Sequence, residues 1–257
     1  MTSGDDQKPF GRYAPNALQR AVIAAAHSSS LKHGAFRPWL SHLVRLFGAG
    51  PIDVSYQGAS FRLHDLASGA ERGVLFNPDY NLPELDFLRE YLPRGGVFVD
   101  AGANVGTYAV PLAKHVGANG RVIAIEPLPS AGARLAFNAS ASNLTNLTLV
   151  KGAAGETDGT LEIKTRSGVE GPSYRLLTIL NGIGIDHIDA MKIGVGGFED
   201  RVLVPFFHDA PQVLWPKAVA IEHLKRTVWQ NDCIADMTAR GYAIAGRTRS
   251  NTLLVRR

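Results

Sequence analysis

The sequence predicts an α/β protein with an open, mostly parallel sheet that is covered by helices on both faces. From residue 97 onwards, short apolar segments rich in Val and Ile alternate with longer segments of helical composition. The apolar segments are nearly continuous, which is typical of strands buried on both faces. With 257 residues and 45% hydrophobic content, the chain is long enough for one sizeable core.

The N-terminal part of the chain differs from the rest in charge and pattern. The first ten residues are polar and are expected to form a disordered tail. Two helices should follow, the first capped by Asn16 and the second with an apolar face of Trp39, Leu40, Leu43, Val44 and Phe47. No acid occurs between Asp6 and Asp53. Residues 1–50 are therefore predicted to form a basic helical extension that packs on the core or makes weak contact with an anionic membrane surface.

Residues 51–94 are predicted to form a lead-in of a β-hairpin and a helix. The segment from Ile52 alternates in polarity around Gln57-Gly58, which is typical of a hairpin. A helix is expected from about Pro83 to Tyr91, because Pro93 and two glycines follow it. Residues 95–257 should then form the main domain.

Strands and helices alternate through the main domain. The predicted helices are TYAVPLAKHVG, SAGARLAFNASAS and DCIADMTARGY. The predicted strands are VFVDAG, RVIAIEP, NLTLVKGAA, GTLEIKT, a segment from Ala190, KAVAIEH and a final pair within YAIAGRTRSNTLLVRR. Crossovers between parallel strands should be right-handed.

The stretch VFVDAGANVGTY combines an acid at a strand end with a glycine turn. Its spacing, D-x-G-x-x-x-G, is not the G-x-G-x-x-G of a dinucleotide site, and Asp100 would repel a pyrophosphate. An acid at this place attracts an ammonium or sulfonium group, and S-adenosylmethionine carries both. The next strand ends in Glu126, which is well placed to accept the two hydroxyls of a ribose.

These residues carry a resemblance to a known family. VFVDAGANVGTYAVPLAK, followed by GRVIAIEPLPSAGARLAFNASASNLTNLTLVKGAAGE, resembles the FkbM family of S-adenosylmethionine-dependent methyltransferases. The similarity extends from about Ile52 to His223 and includes D-x-G-A-N-x-G, the E-P pair, and Asn138 with Asn143. It implies a class I methyltransferase fold, Rossmann-like, whose seven-stranded sheet has an antiparallel last strand. It also implies methylation of hydroxyl groups on sugars, lipids or other small metabolites.

The predicted cofactor site follows the ends of three successive strands. S-adenosylmethionine is the expected cofactor, with its adenine near residues 152–154. The residues expected to bind it are Asp100, Gly102, Ala103, Asn104, Gly106, Glu126, Pro127 and Ala153.

The fourth core strand departs from the family pattern I-K-I-D-V-E-G-x-E. This chain has MKIGVGGFE, so Gly194 and Gly196 stand where two acids are expected. The catalytic base is therefore open, and the candidates are Glu199, Glu222, His223 and Lys192, followed by His187 and Asp189. Two hypotheses remain: an active O-methyltransferase, or a degenerate member that binds the cofactor without catalysis.

Other classes of function have little support in the sequence. A net charge of +4 is too small to indicate a nucleic-acid partner, and the absence of any Pro-Pro loop argues against methylation of nucleic-acid bases. The single cysteine, Cys233, excludes an intrachain disulfide, and no metal site is expected. We expect a cytoplasmic protein without a membrane span that acts on a small-molecule acceptor. The sequence does not indicate the oligomeric state.

Overall fold

The computed structural model describes residues 4–32, 34–163 and 169–257. The N-terminal part contains two helices, α1 (Ala17–His27) and α2 (Arg37–Leu46). A hairpin of β1 (Ile52–Tyr56) and β2 (Ala59–Leu63) follows, as the alternation around Gln57-Gly58 predicts. Two more helices lead into the main domain, α3 (Gly69–Phe76) and α4 (Leu82–Tyr91).

A seven-stranded sheet forms the centre of the main domain. The strands after the hairpin are, in chain order, β3 (Val97–Ala101), β4 (Arg121–Glu126), β5 (Leu147–Lys151), β6 (Ala153–Gly155), β7 (Gly159–Ile163), β8 (Val169–Arg175), β9 (Ala190–Ile193), β10 (Ala218–Glu222), β11 (Tyr242–Arg247) and β12 (Asn251–Arg256). The spatial order in the large sheet is β5-β4-β3-β9-β10-β12-β11. All neighbours in it are parallel except that β12 is antiparallel to both β10 and β11.

This order confirms the predicted fold class of an open, mostly parallel seven-stranded sheet whose last strand is antiparallel. The chain moves outward from β3 through β4 to β5 and then returns to place β9 on the other side of β3. The order of strands therefore reverses between β3 and β9. In open α/β sheets, ligands bind beside the carboxyl ends of the strands at such a reversal.

Helices cover both faces of this sheet. On one face lie α4, α5 (Ala109–Val116) and α6 (Pro129–Ala141), packed against Phe98, Val122 and other inward residues. On the other face lie α7 (Leu176–Gly182), α8 (Glu199–Asp209) and α9 (Cys233–Ala239), packed against Val99, Ile123 and their neighbours. Successive strand residues thus contact opposite helix layers, as buried parallel strands should.

A small second sheet, with the order β6-β8-β7, follows the edge strand β5. NLTLVKGAA was predicted as one strand but is divided at Gly152 into β5 and β6. A Cβ at Gly152 would lie 2.7 Å from the ring of Tyr174, so glycine suits this position. The predicted strand over 159–165 is confirmed for Gly159–Ile163, and its last two residues lie outside the described part of the chain.

The prediction of a disordered tail is wrong for residues 4–10. Residues Gly4–Gln7 form a 3₁₀ helix against the hairpin. The fully buried Arg62 guanidinium donates to the backbone carbonyls of Asp5, Lys8 and Pro9, and two further bonds of 2.7 and 2.9 Å bind it to Asp53. A buried guanidinium needs acceptors for its five N–H groups, and the N-terminal residues supply them.

The predicted apolar face of α2 is only partly buried. Leu40 and Val44 pack in the core as expected, but Trp39 and Phe47 are exposed. Pro38 lies in the first turn of this helix, where a missing N–H leaves no helical bond unmade.

Candidate cofactor and acceptor site

Asp100 lies near the carboxyl end of β3 and is completely buried. Its Oδ2 accepts a hydrogen bond of 3.0 Å from the N–H of Ala109 at the start of α5. Its Oδ1 is buried without a partner among the described residues. Burial raises the pKa of the Asp100 carboxyl to about 6, and the Lys192 ammonium on the neighbouring strand opposes that rise. A buried carboxylate oxygen without a donor is what a site for a cationic ligand group requires.

The turn after β3 depends on glycine at two places. Gly102 has φ +82 and Gly106 has φ +91. A Cβ at Gly102 would lie 2.1 Å from the carbonyl oxygen of Gly194, so the turn and the end of β9 are in backbone contact. The N–H groups of Gly102 and Ala103 both donate to the carbonyl of Ile125, which fixes the turn against β4.

Glu126 ends β4 and is held in place by the same turn. One of its oxygens accepts from the N–H of Asn104 and the other from the N–H of Leu128, each at 2.8 Å. Burial raises the pKa of the Glu126 carboxyl. Each oxygen retains acceptor capacity for a hydroxyl group. Glu126 and Pro127 also line a groove of about 500 Å³ that continues along α6 to Phe137 and past Lys151.

The third strand end completes this half of the site. The N–H of Gly152 lies 3.3 Å from the carbonyl oxygen of Glu126, which places the start of β6 next to the end of β4. Ala153 and Ala154 are buried there. The structure therefore brings together the residues that the sequence predicts for a cofactor, from Asp100 to Ala153.

The ends of β9 and β10 form the other half of the site. Lys192 is buried and its ammonium lies 5.4 Å from the ring centroid of Tyr108. A Cβ at Gly194 would lie 2.3 Å from Nζ of Lys192 and 2.9 Å from Oε2 of Glu222. Within the described part of the chain, neither of these charged groups forms a salt bridge or a side-chain hydrogen bond. The Lys192 ammonium and the Glu222 carboxylate thus occupy the space that a side chain at residue 194 would need.

Tyrosines line this half, and sequence reasoning missed them. Burial raises the pKa of both Tyr80 and Tyr108. The Tyr56 hydroxyl donates to the carbonyl of Tyr80 at 2.6 Å. Behind them, the buried Glu84 accepts from the side chains of Thr248 and Asn251. These residues come from separate parts of the chain, and no local motif marks them.

Glu199 was a candidate base, but its oxygens already bind the loop after β9. One accepts from the N–H groups of Val195 and Gly197, at 2.9 and 3.1 Å, and the other accepts from the indole N–H of Trp229 at 2.8 Å. The side chain is almost completely buried. The geometry gives Glu199 a positioning role in the loop.

The remaining candidate bases lie away from the Lys192 ammonium and the Glu222 carboxylate. Nδ1 of His223 is 2.9 Å from the hydroxyl of Thr252, and successive strand positions place it opposite Glu222. Asp189 lies at the amino end of the sheet, where it accepts from the N–H of Val97 and from Lys217, with His187 beside it. The structure therefore separates His187 and Asp189 from the carboxyl edge.

The two asparagines of the family pattern have structural positions. The buried Asn138 accepts from the N–H of Arg62 and donates to the carbonyl of Val105, which joins the hairpin to the turn after β3. Asn143 has φ +56 just after α6. Neither finding depends on a ligand.

Over residues 4–32, 34–163 and 169–257, no group of three or more His, Cys, Asp or Glu side chains is arranged to hold a metal ion. None of the helices described there has the length and apolar character needed to cross a bilayer.

Comparison with known proteins shows a similarity of fold to solved structures. No family model matches the chain, and no curated protein matches it. Among solved structures, a rRNA methylase from Streptococcus thermophilus has 16% identity and a TM-score of 0.43, covering 67% of this chain and 92% of its own. TYW2 from M. jannaschii in complex with AdoMet has 17% identity and a TM-score of 0.44, covering 82% and 89%. Precorrin-6y C5,15-methyltransferase from Geobacter metallireducens has 15% identity and a TM-score of 0.45, covering 70% and 88%.

Proposed function

We propose that the protein is an S-adenosylmethionine-dependent methyltransferase that methylates a hydroxyl group on a sugar, a lipid or another small metabolite. One observation carries the proposal. Two buried strand-end acids, Asp100 and Glu126, flank a glycine turn at the point where the strand order reverses. The resemblance to the FkbM family supports the choice of a hydroxyl acceptor.

The residues present suit this cofactor. The unpartnered Oδ1 of Asp100 would accept from its ammonium group, and the free acceptor capacity of Glu126 would receive the ribose hydroxyls. Gly102 and Gly106 leave the turn without side chains, so a ligand can approach the backbone closely. Pro127 and Ala153 would border the adenine. When bound, S-adenosylmethionine supplies an electrophilic methyl group.

The acceptor hydroxyl needs a group that takes its proton. We assign this role to Glu222, whose carboxylate has no hydrogen-bond partner in the described residues and stands beside Gly194. A well-placed base contributes about 10²–10⁴-fold to such a step. The nearby Lys192 ammonium would orient the acceptor oxygen and favour its negative charge as the proton leaves.

A second function has its own support. Gly194 and Gly196 lack the acids of the family pattern, and the Lys192 ammonium fills the space beside Gly194. A protein altered in this way would bind the cofactor and serve as a binding or scaffold module. The two functions share the cofactor half of the site and differ only in turnover.

Calorimetric titration with S-adenosylmethionine and with its demethylated product tests the cofactor site. We expect the wild type to bind both, and Asp100→Ala or Glu126→Ala to weaken binding by more than about 1 kcal/mol, the scale of one charge-assisted bond. Glu90→Ala, at an exposed acid of α4, is the matched control and should bind normally. Unchanged affinity in both site variants, or no binding by the wild type, would contradict the proposal.

Turnover on a panel of sugars, lipids and hydroxylated metabolites separates the two functions. If the protein is active, Glu222→Gln should lower turnover at least about 100-fold while cofactor affinity stays the same. Cofactor binding with no turnover on any acceptor in the panel would favour the binding module.

A further inference from the structure

The outward face of the N-terminal helices carries large apolar side chains among basic ones and has no partner in the described structure. Helices α1 and α2 pack side by side in opposite directions. The Asn16 amide donates to the carbonyl of Phe47, and the Gln19 amide donates to that of Val44. The sides that contact the core carry buried residues such as Ala26, Leu40 and Val44.

Large apolar side chains point away from that core. The exposed fractions are 57% for Leu18 on α1, and 57% and 64% for Trp39 and Leu46 on α2. Trp39 and Leu46 are seven residues apart, so they lie on the same side of their helix. The exposed positions of α1 next to Leu18 are alanines, namely Ala17, Ala21, Ala24 and Ala25. We call this surface, formed by the exposed sides of α1 and α2, the outer helical face.

The charge around this face is strongly one-sided. Residues 7–52 contain no Asp or Glu and hold six of the chain's 27 lysines and arginines, while the rest of the chain carries 21 against 23 acids. Lys32 and Arg45 are near Asp79 and Asp65. Arg12 and Arg20 are exposed and have no acidic partner among the described residues. A segment of the chain with basic residues and no acids thus accompanies the apolar surface.

We propose that the outer helical face binds the surface of an anionic lipid bilayer. Trp and Leu side chains would enter the boundary between headgroups and acyl chains, while the arginines contact the anionic headgroups. Such binding combines apolar burial with electrostatic attraction, and both components are present here. A second copy of this chain is a poorer occupant, because pairing two such faces brings like charges together.

The outer helical face is also connected to the candidate site. Arg37, in the first turn of α2, places its guanidinium 5.7 Å from the ring centroid of Tyr80. Binding at Trp39 would therefore hold the tyrosine-lined half of the site close to the bilayer. The lipid-binding proposal does not depend on the methyltransferase function, and each can fail without the other.

Vesicle sedimentation tests the proposal with the full chain. We expect the protein to sediment with vesicles of phosphatidylcholine and phosphatidylserine, and to do so weakly with phosphatidylcholine alone. The double variant Trp39→Ala/Leu46→Ala should bind at least about tenfold more weakly. Arg12→Gln and Arg20→Gln should each weaken binding roughly fivefold at low salt, since one basic residue contributes about 1 kcal/mol near an anionic surface.

Matched controls are available elsewhere on the chain. Val213→Ala removes an equally exposed apolar side chain, and Arg257→Gln removes an exposed terminal charge. Both should bind like the wild type, and thermal melting should show that every variant is folded. Three results would overturn the proposal: no sedimentation with phosphatidylserine vesicles, unchanged sedimentation of the Trp39→Ala/Leu46→Ala variant, or a light-scattering dimer that this variant dissociates.

Discussion

The two halves of the sheet's carboxyl edge use their acidic residues in different ways. At the ends of β3 and β4, Asp100 has an oxygen without a donor, and Glu126 retains acceptor capacity after its two backbone bonds. In the loop after β9, the oxygens of Glu199 accept three hydrogen bonds from that loop and from Trp229. The acids of the first half are available to a ligand, whereas Glu199 in the second half fixes the backbone of the loop after β9.

This difference shows that an acid at a motif position is not by itself evidence for a catalytic or binding role. Gly196 and Gly197 have φ of +75 and +103, so the loop after β9 has a shape that side chains rarely allow. Glu199 stabilises that shape. The free carboxylate near the second half comes instead from Glu222 on the next strand, where the family pattern gives no reason to expect it.

The largest loss of stability is expected at the contact between the two halves of the site, where Gly102 meets Gly194. Gly102→Ala would place a Cβ 2.1 Å from the carbonyl oxygen of Gly194 at a φ of +82. Backbone strain and overpacking together should lower the free energy of unfolding by about 4 kcal/mol. Urea denaturation measures this, and titration with S-adenosylmethionine should show that any folded fraction binds weakly.

Gly58→Ala is the matched control for that variant. Gly58 has a similar φ of +77 in the hairpin, but nothing lies within 4 Å of its Cβ position. Its loss of stability should be about 1 kcal/mol, from the backbone conformation alone. If the two variants lose the same stability, the contact between Gly102 and Gly194 is not a close one and the halves are not coupled there.

Asp100→Asn should make the protein more stable but weaken its binding of S-adenosylmethionine. The pKa of the Asp100 carboxyl is about 6 in the folded state and 3.8 in the unfolded state, so the protonated carboxyl stabilises the fold relative to the carboxylate. That contribution is complete below pH 3.8 and is lost as the pH rises through 6. At pH 8 the neutral Asn should therefore raise the free energy of unfolding by about 3 kcal/mol, with the gain shrinking toward pH 4. Urea denaturation at several pH values measures it.

The same variant should bind S-adenosylmethionine at least about tenfold more weakly, because its side chain carries no charge to attract the ammonium group. Opposite signs for stability and binding are the mark of an acid kept for a ligand. A variant that is less stable at pH 8 and binds normally would show that Asp100 serves only to hold Ala109 and the start of α5.

The sequence predicted the first half of the site well because its residues are local. Asp100, Gly102 and Gly106 lie within seven residues, and their spacing alone indicates a strand, a turn and a helix start. Glu126 follows one helix later at the end of the adjacent strand. The alternation of strands and helices indicated the open parallel sheet, and the resemblance implied its seven strands and antiparallel last strand, whereas α3, β8, α7 and α8 were among the elements missed or left without bounds.

The second half was not predictable in the same way, because it is assembled over long distances. Lys192, Glu222 and Tyr108 come from separate elements, and no spacing relates them. The N-terminal residues were misjudged for a similar reason. Their polar composition is typical of a tail, but Arg62 is buried and binds their carbonyl groups.

Two acids of the second half should differ in their effect on stability. Glu199→Ala leaves three donors in the loop after β9 without an acceptor, so it should lower the free energy of unfolding by about 2 kcal/mol. Glu222→Ala removes a carboxylate without a bonded partner in the described residues and should change stability by less than about 0.5 kcal/mol. Equal losses in urea denaturation would contradict the distinction between a structural acid and an available one.

A small change in stability is also expected for Gly194→Ala, and this variant is the sharpest probe of the second half. The atoms nearest to the new methyl group belong to the flexible ends of Lys192 and Glu222, and the backbone of Gly194 is not in the left-handed region. Both side chains can move aside, so stability should change by less than about 1 kcal/mol.

Gly196→Ala, at φ +75 with open space around it, serves as the control with backbone strain and no displaced charge. If Lys192 and Glu222 act on the acceptor, only Gly194→Ala should lower turnover, while both variants bind S-adenosylmethionine like the wild type. Equal turnover in the two variants would mean that the charges beside Gly194 take no part in the reaction.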